Sequence, residues 1–148
     1  MGVGRMEISL KPVGIARNRE KEQHFGGWQN VVTDIVVNKK YNDALDGLEG
    51  YSHVLVVYWM HKAKKRVIKH RPQGIGPLVG IFACRCQGRP NPIGISAVKI
   101  VGRRGNVLSV KGLDVINGTP VLDIKPYTPK YDLVKNARMP KWAGKLAY

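Results

Sequence analysis

The sequence predicts an all-β fold, mainly β with one short helix, closed as a barrel or stacked as a sandwich. Three observations predict it. Short β-branched and apolar runs recur at near-regular spacing, Gly, Pro and Asn punctuate them, and a single segment reads as a helix. No strand–GxGxxG–helix unit is present, so a parallel nucleotide-binding sheet has no support. There is no internal repeat.

The elements follow in order. Val13–Arg17 is a short first strand, and Val31–Val37 is rich in β-branched residues. Asn42–Leu48 is the helix, with Asn42 placed to cap its N-terminus. Val54–Met60 is a continuous apolar run suited to a buried strand. Leu78–Arg85, Ser96–Gly102, Val107–Lys111 and Pro120–Ile124 complete the strands. Arg103-Arg104-Gly105-Asn106 joins two of these as a hairpin, and Asn117-Gly118 marks another tight turn.

At 148 residues and 43% hydrophobic, the chain can bury one core and is most simply one domain. Its net charge of +15 and pI near 10.1 favour a polyanionic partner, bound through phosphate contacts and counterion release. Nucleic acid is preferred to an anionic membrane, because no amphipathic basic helix or lipidation signal is present. Charge alone does not separate tRNA from rRNA or DNA. No apolar run approaches the roughly 20 residues that cross a bilayer. Met1-Gly2-Val3-Gly4-Arg5 lacks the apolar stretch of a signal peptide. Cys84 and Cys86 would point to opposite faces of the strand expected there, which opposes a local disulfide and suits a reduced, cytoplasmic protein. With two thiols and no nearby His pair at ligand spacing, no metal site is expected.

Residues 80–96 are the most informative stretch. Arg85 and Arg89 precede a stiff Pro90-Asn91-Pro92 turn, in which both prolines fix φ and lack an N–H. Gly88 and Gly94 bracket it, where close backbone approach or positive φ is needed. Such a turn holds polar side chains at low entropic cost, although turn chemistry alone also describes an ordinary connection. The pattern Phe82-Ala83-x-Arg85 followed by Arg89-Pro90-Asn91-Pro92-Ile93-Gly94-x-Ser96 resembles the signature of the TrmO family, the YaeB-like or TsaA-like S-adenosylmethionine-dependent tRNA methyltransferases. Three more blocks agree in order. They are Pro12-Val13-Gly14-Ile15, the run from Ala44 to His53, and Gly112-Leu113-Asp114 leading to the run from Gly118 to Tyr127.

The resemblance implies a compact β-barrel over residues 1–127. A basic tail follows over 128–148, without the extra C-terminal domain of bacterial members. It implies S-adenosylmethionine as cofactor, held by loops at the barrel rim, tRNA as partner, and a homodimer. The reaction it implies is methylation of N6 of N6-threonylcarbamoyladenosine beside the anticodon. A non-catalytic RNA-binding barrel, or the same fold with another substrate, are the alternatives.

Carried onto this chain, the cofactor positions are His24, Phe25, His61, Lys62, Arg85, Ile95, Leu113, Asp114 and Val115, with Asn91 and Asp114 the catalytic candidates. Arg85 could anchor a carboxylate or a phosphate, or form a surface ion pair. Asn91 could bond an adenine or its own turn. Asp114 could accept from ribose hydroxyls or the methionyl ammonium, or serve as a turn aspartate. The loop Glu22–Gln29 has Gly26-Gly27-Trp28 in place of the family's usual Arg-Gln-Pro-Gly run. Asn117 stands where most members have Asp, which marks that position as shaping backbone. The acid-free run from His61 to Arg71 supplies Lys64, Lys65, Arg66, Lys69 and Arg71 for phosphate contact. Arg89 and Lys125 are assigned to RNA as well; Lys125 could alternatively pair with Asp123 on the same strand face.

Overall fold

A computed structural model describes Gly2 and residues 4–148; Met1 and Val3, from the N-terminal stretch read above, lie outside the described residues. Its strands are β1 (Gly14–Arg17), β2 (Val32–Val37), β3 (His53–Trp59), the two-residue β4 (Lys69–His70) and β5 (Val79–Gly80), β6 (Ile93–Arg104), β7 (Val107–Lys111) and β8 (Pro120–Pro126). Six of them close a barrel in the order β1-β2-β7-β6-β3-β8, each neighbour antiparallel, while β4 and β5 form a separate pair. Closure leaves no unpaired edge in the ring.

Alternation fills the interior. Thr33, Ile35 and Val37 of β2, Val54, Val56 and Tyr58 of β3, and Leu108 and Val110 of β7 are buried, with Ala16, Val98 and Val121 opposite them. Each buried Val, Leu or Ile contributes about 1.5–3 kcal/mol. The apolar run of β3 is therefore a half-buried strand: Leu55, Val57 and Trp59 lie on its outer face and are only partly covered. β6 runs twelve residues, longer than expected. Its first half pairs with β3 and its second with β7, across an irregularity between Ile100 and Gly102.

Two expected elements are corrected. The helix over Asn42–Leu48 is a 3-10 segment, Lys39–Leu45, and its cap is Asn38, whose side chain accepts from the Lys40 N–H at 3.2 Å. Gly47, at φ 94°, breaks any longer helical run there. The one α-helix among the described residues, α1 (Pro129–Asp132), lies in the tail. The strand over Leu78–Arg85 pairs only at Val79–Gly80 and then turns through 3-10 residues Ile81–Ala83, which bury Ile81. Cys84 and Cys86 therefore follow a turn, with Cα atoms 5.3 Å apart, and are joined as a disulfide. The alternation argument against that bridge falls with the strand.

Gly94 is fixed by a neighbour. It pairs with Tyr58 across β3 and β6, and a Cβ at position 94 would lie 2.4 Å from the Tyr58 ring. The ring occupies the space a side chain would fill. Gly94→Ala is expected to destabilise the barrel by about 1–3 kcal/mol. Adding Tyr58→Ala should remove most of that penalty, so denaturant titration of the double-mutant cycle should show coupling of the pair.

Candidate functional site at one end of the barrel

Antiparallel closure sends three loops to one end. Residues 18–31 leave β1 for β2, residues 60–92 leave β3 for β6, and residues 112–119 leave β7 for β8. These loops interlock. The Asn18 side chain donates to the Thr33 hydroxyl at 3.0 Å and the Val115 carbonyl at 2.8 Å. Asn117 Oδ1 accepts from the Asn18 N–H, and Gly118 takes φ 86°, so the Asn-Gly pair does shape backbone. The tail returns to this end as well. Ala147 exchanges two hydrogen bonds with the Gln73 amide, at 2.9 and 3.0 Å, and Trp142 packs on Gly76.

The centre of this mouth is Asp114. Its Oδ1 accepts from the Tyr58 hydroxyl at 3.0 Å and from the Ser96 hydroxyl at 2.5 Å. Tyr58 is the last inward residue of β3, and Ser96 faces inward on β6 two positions beyond Gly94. Burial, reinforced by the neighbouring carboxylate of Asp114, raises the Tyr58 phenol far above its ordinary value, so it stays a donor. The sequence reading missed both partners. An apolar β3 run gave no sign that its tyrosine faced a carboxylate, although Ser96 closes the signature motif.

The other expected residues divide. Arg85 is exposed and donates to the Ile95 carbonyl, next to Ser96, although it ends no strand. Asn91 is exposed at the proline turn, and Ile95 lies half-exposed on the outer face of β6. His61 and Lys62 form the turn that leaves β3; slight burial and then the Lys62 charge lower the His61 pKa. His24 stacks on Trp28 at 4.0 Å and bonds the Gly26 carbonyl, leaving Phe25 69% exposed beside it. The side chains of Leu113 and Val115 lie in the core, which leaves their backbone groups for any contact at the mouth.

Charge in the 60–92 loop is one-sided. None of the ten acids falls between Glu49 and Asp114. Lys64, Lys65, Arg66, Lys69 and Arg71 are all exposed in the 60–92 loop, and among the described residues none of them pairs with a carboxylate. Arg89, partly exposed, donates through Nη1 to the carbonyls of Ile81, Cys84 and Cys86, and so it ties down the loop. Lys125 is placed apart from these cations and takes the ion pair its strand position offered. It lies toward the opposite end of β8, opposite Leu55, and its ammonium pairs with Asp123 at 2.6 Å. At that far end a cleft of about 530 Å³ lies between Leu45, Leu48, Tyr51 and Ile124. Among the described residues no cluster of His, Cys, Asp and Glu is placed to hold a metal ion, and no helix is long and apolar enough to cross a membrane.

Fold and mouth together define a single-barrel protein whose polar site is built on loops at one rim. The sequence model of the tRNA-methyltransferase O N-terminal domain matches residues 21–133, and the chain belongs to that family. A protein of Methanothermobacter thermautotrophicus named as a probable S-adenosyl-L-methionine-binding protein is 39% identical over 131 residues, which cover 86% of this chain and 95% of the relative. A putative S-adenosylmethionine-dependent methyltransferase, RcsF of Pseudomonas aeruginosa, is 45% identical over 100 residues, or 65% of this chain and 43% of the relative. The crystal structure of TrmO from P. aeruginosa superimposes with a TM-score of 0.77 at 33% identity and covers 92% of this chain. This chain spans 62% of the length of that solved chain.

Tyr58 gives a direct optical test. The difference absorbance titration between wild type and Tyr58→Phe is expected to show no phenolate near the ordinary tyrosine value of 10.0. Asp114→Asn should lower that midpoint without restoring 10.0, since burial is the larger cause. A raised folded pKa means this contribution to stability is complete below pH 10.0 and is lost as pH rises through the folded value.

Proposed function

We propose that the chain is an S-adenosylmethionine-dependent methyltransferase that acts on tRNA, with N6 of N6-threonylcarbamoyladenosine beside the anticodon as acceptor. The observation that carries this reading is the convergence, at one rim, of an anchored carboxylate, exposed Arg85 and an acid-free cationic loop. The names of the relatives support the methyl donor. Membership of the family supports tRNA as the substrate and a cytoplasmic homodimer as the working state. The barrel is the catalytic domain, and residues 128–148 are a tail packed on it.

The residues fit such a donor. Asp114 offers an acceptor for an ammonium or ribose hydroxyl, and Arg85 offers a guanidinium for a carboxylate. When bound, S-adenosylmethionine supplies a methyl group already activated on a sulfonium. The chain therefore mainly aligns the two partners and excludes water. Lys64, Lys65, Arg66, Lys69 and Arg71 hold the anticodon-arm phosphates, while the flipped base enters beside Asn91. Conjugation to a carbonyl acidifies the acceptor N6–H, so a strong dedicated base is unnecessary.

Calorimetry with S-adenosylmethionine separates this reading from a purely RNA-binding barrel, which would give no heat. Mass spectrometry of nucleosides from tRNA of a gene-deletion strain, incubated with protein and donor, should show a gain of one methyl on N6-threonylcarbamoyladenosine. Methylation that persists on tRNA lacking the threonylcarbamoyl group would exclude this acceptor. Replacing Lys64, Lys65 and Arg66 together by Gln should weaken tRNA binding and flatten its log–log salt dependence by about two to three.

A further inference from the structure

Phe82 opens the signature motif, and neither the methyl donor nor the phosphate contacts use it. Its ring is 80% exposed. Exposure alone would mean little, but the support beneath the ring is rigid. The 3-10 turn Ile81–Ala83 buries Ile81 and leaves Phe82 standing outward. Arg89, held by the carbonyls of Ile81, Cys84 and Cys86, brings its guanidinium carbon to 6.0 Å from the ring centroid, within cation–π reach. The cationic run lies alongside. The Val67 N–H donates to the Gly88 carbonyl and the Ile81 N–H to the Ile68 carbonyl, each at 2.9 Å, and Lys69 pairs with Gly80. Exposed Lys65, Arg66 and Lys69 therefore share one tongue of chain with the ring.

We propose that Phe82, backed by Arg89, is a stacking platform for an unpaired nucleobase of the RNA, the neighbour of the base that is methylated. A base that leaves the stack to react uncovers the faces of its neighbours, and a rigid ring flanked by cations supplies the missing face. Fixing the ring beforehand lowers the entropy lost on binding. Stacking accepts any base, so the contact selects single-stranded over paired RNA and carries no sequence preference. The proposal rests on the tRNA reading and adds to it how an open loop is recognised.

The test measures affinities of wild type and position-82 variants for three probes: a synthetic RNA hairpin with an unpaired loop, a blunt duplex of the same stem, and S-adenosylmethionine. Phe82→Ala should weaken hairpin binding by about five- to a hundredfold, the stacking of one base. Phe82→Trp should hold or tighten it, whereas Phe82→Leu, apolar without a π-face, should behave like Phe82→Ala. Duplex and donor affinities should not change. Nor should the slope of log affinity against log salt, because no charge is removed. Melting curves check folding; if Phe82→Ala melts early, the Phe82→Leu and Phe82→Trp pair decides. Equal hairpin affinity in wild type and Phe82→Ala, or equal weakening of hairpin and duplex, overturns the proposal and leaves the tRNA assignment standing. Weakened donor binding with unchanged hairpin affinity puts the ring in the donor site and overturns it likewise. So does a Phe82→Ala variant that keeps the hairpin and loses phosphatidylserine vesicles, which would make this face a membrane contact. Failure of the wild-type chain to bind either tRNA or the hairpin overturns both readings.

Discussion

Closure of six antiparallel strands is the constraint on which everything else depends. Once β1 pairs with both β2 and β8, and β3 with both β6 and β8, no strand can reverse without opening the ring. The connections 18–31, 60–92 and 112–119 are then forced to one end, however far apart they lie in sequence. Residues 58, 85, 96 and 114, far apart in sequence, are thereby gathered on the barrel itself. The ring supplies rigidity, and the loops supply chemistry.

Core and site meet at a single contact. Tyr58 belongs to the buried cluster by its ring and to the mouth by its hydroxyl, and the missing side chain of Gly94 lets both be true. Packing thereby sets the direction of the Asp114 carboxylate. The 60–92 loop is stiffened in other ways: its proline turn, Arg89 bonded to three carbonyls, the Cys84–Cys86 bridge, and the tail fastened to Gln73. A long connection, exposed for most of its length, is thus tied down at several points.

Much of this was legible in the sequence, and the failures have physical causes. β7 was read with its observed bounds and β2 to within one residue, because alternation and β-branching are local signals. The class of fold followed from spacing, and the family from motif order. What the sequence did not show depended on contacts made at a distance. The apolar run at 78–85 looks like a strand but spends its hydrophobicity on a turn that buries Ile81. Leu113 and Val115 flank a polar residue in a motif, yet alternation sends them into the core while Asp114 faces the mouth. Arg89 carries the motif's charge and uses it on backbone carbonyls. No local signal pairs Tyr58 with Asp114 across 56 residues; the ring order β7-β6-β3 brings the loop after β7 to the end of β3.

The uneven placement of charge has a kinetic consequence. Around the far end, Asp43, Asp46, Glu49 and Asp123 offset Lys39, Lys40, Arg103, Arg104 and Lys125, whereas the long loop's cations have no such counterweight. The molecule is therefore an electric dipole whose positive pole coincides with its opening. In the field of an approaching polyanion it would turn that opening forward before contact, so productive encounters outnumber those of a uniformly charged sphere. Added electrolyte would blunt this orientation and slow capture well before it disturbed the folded ring.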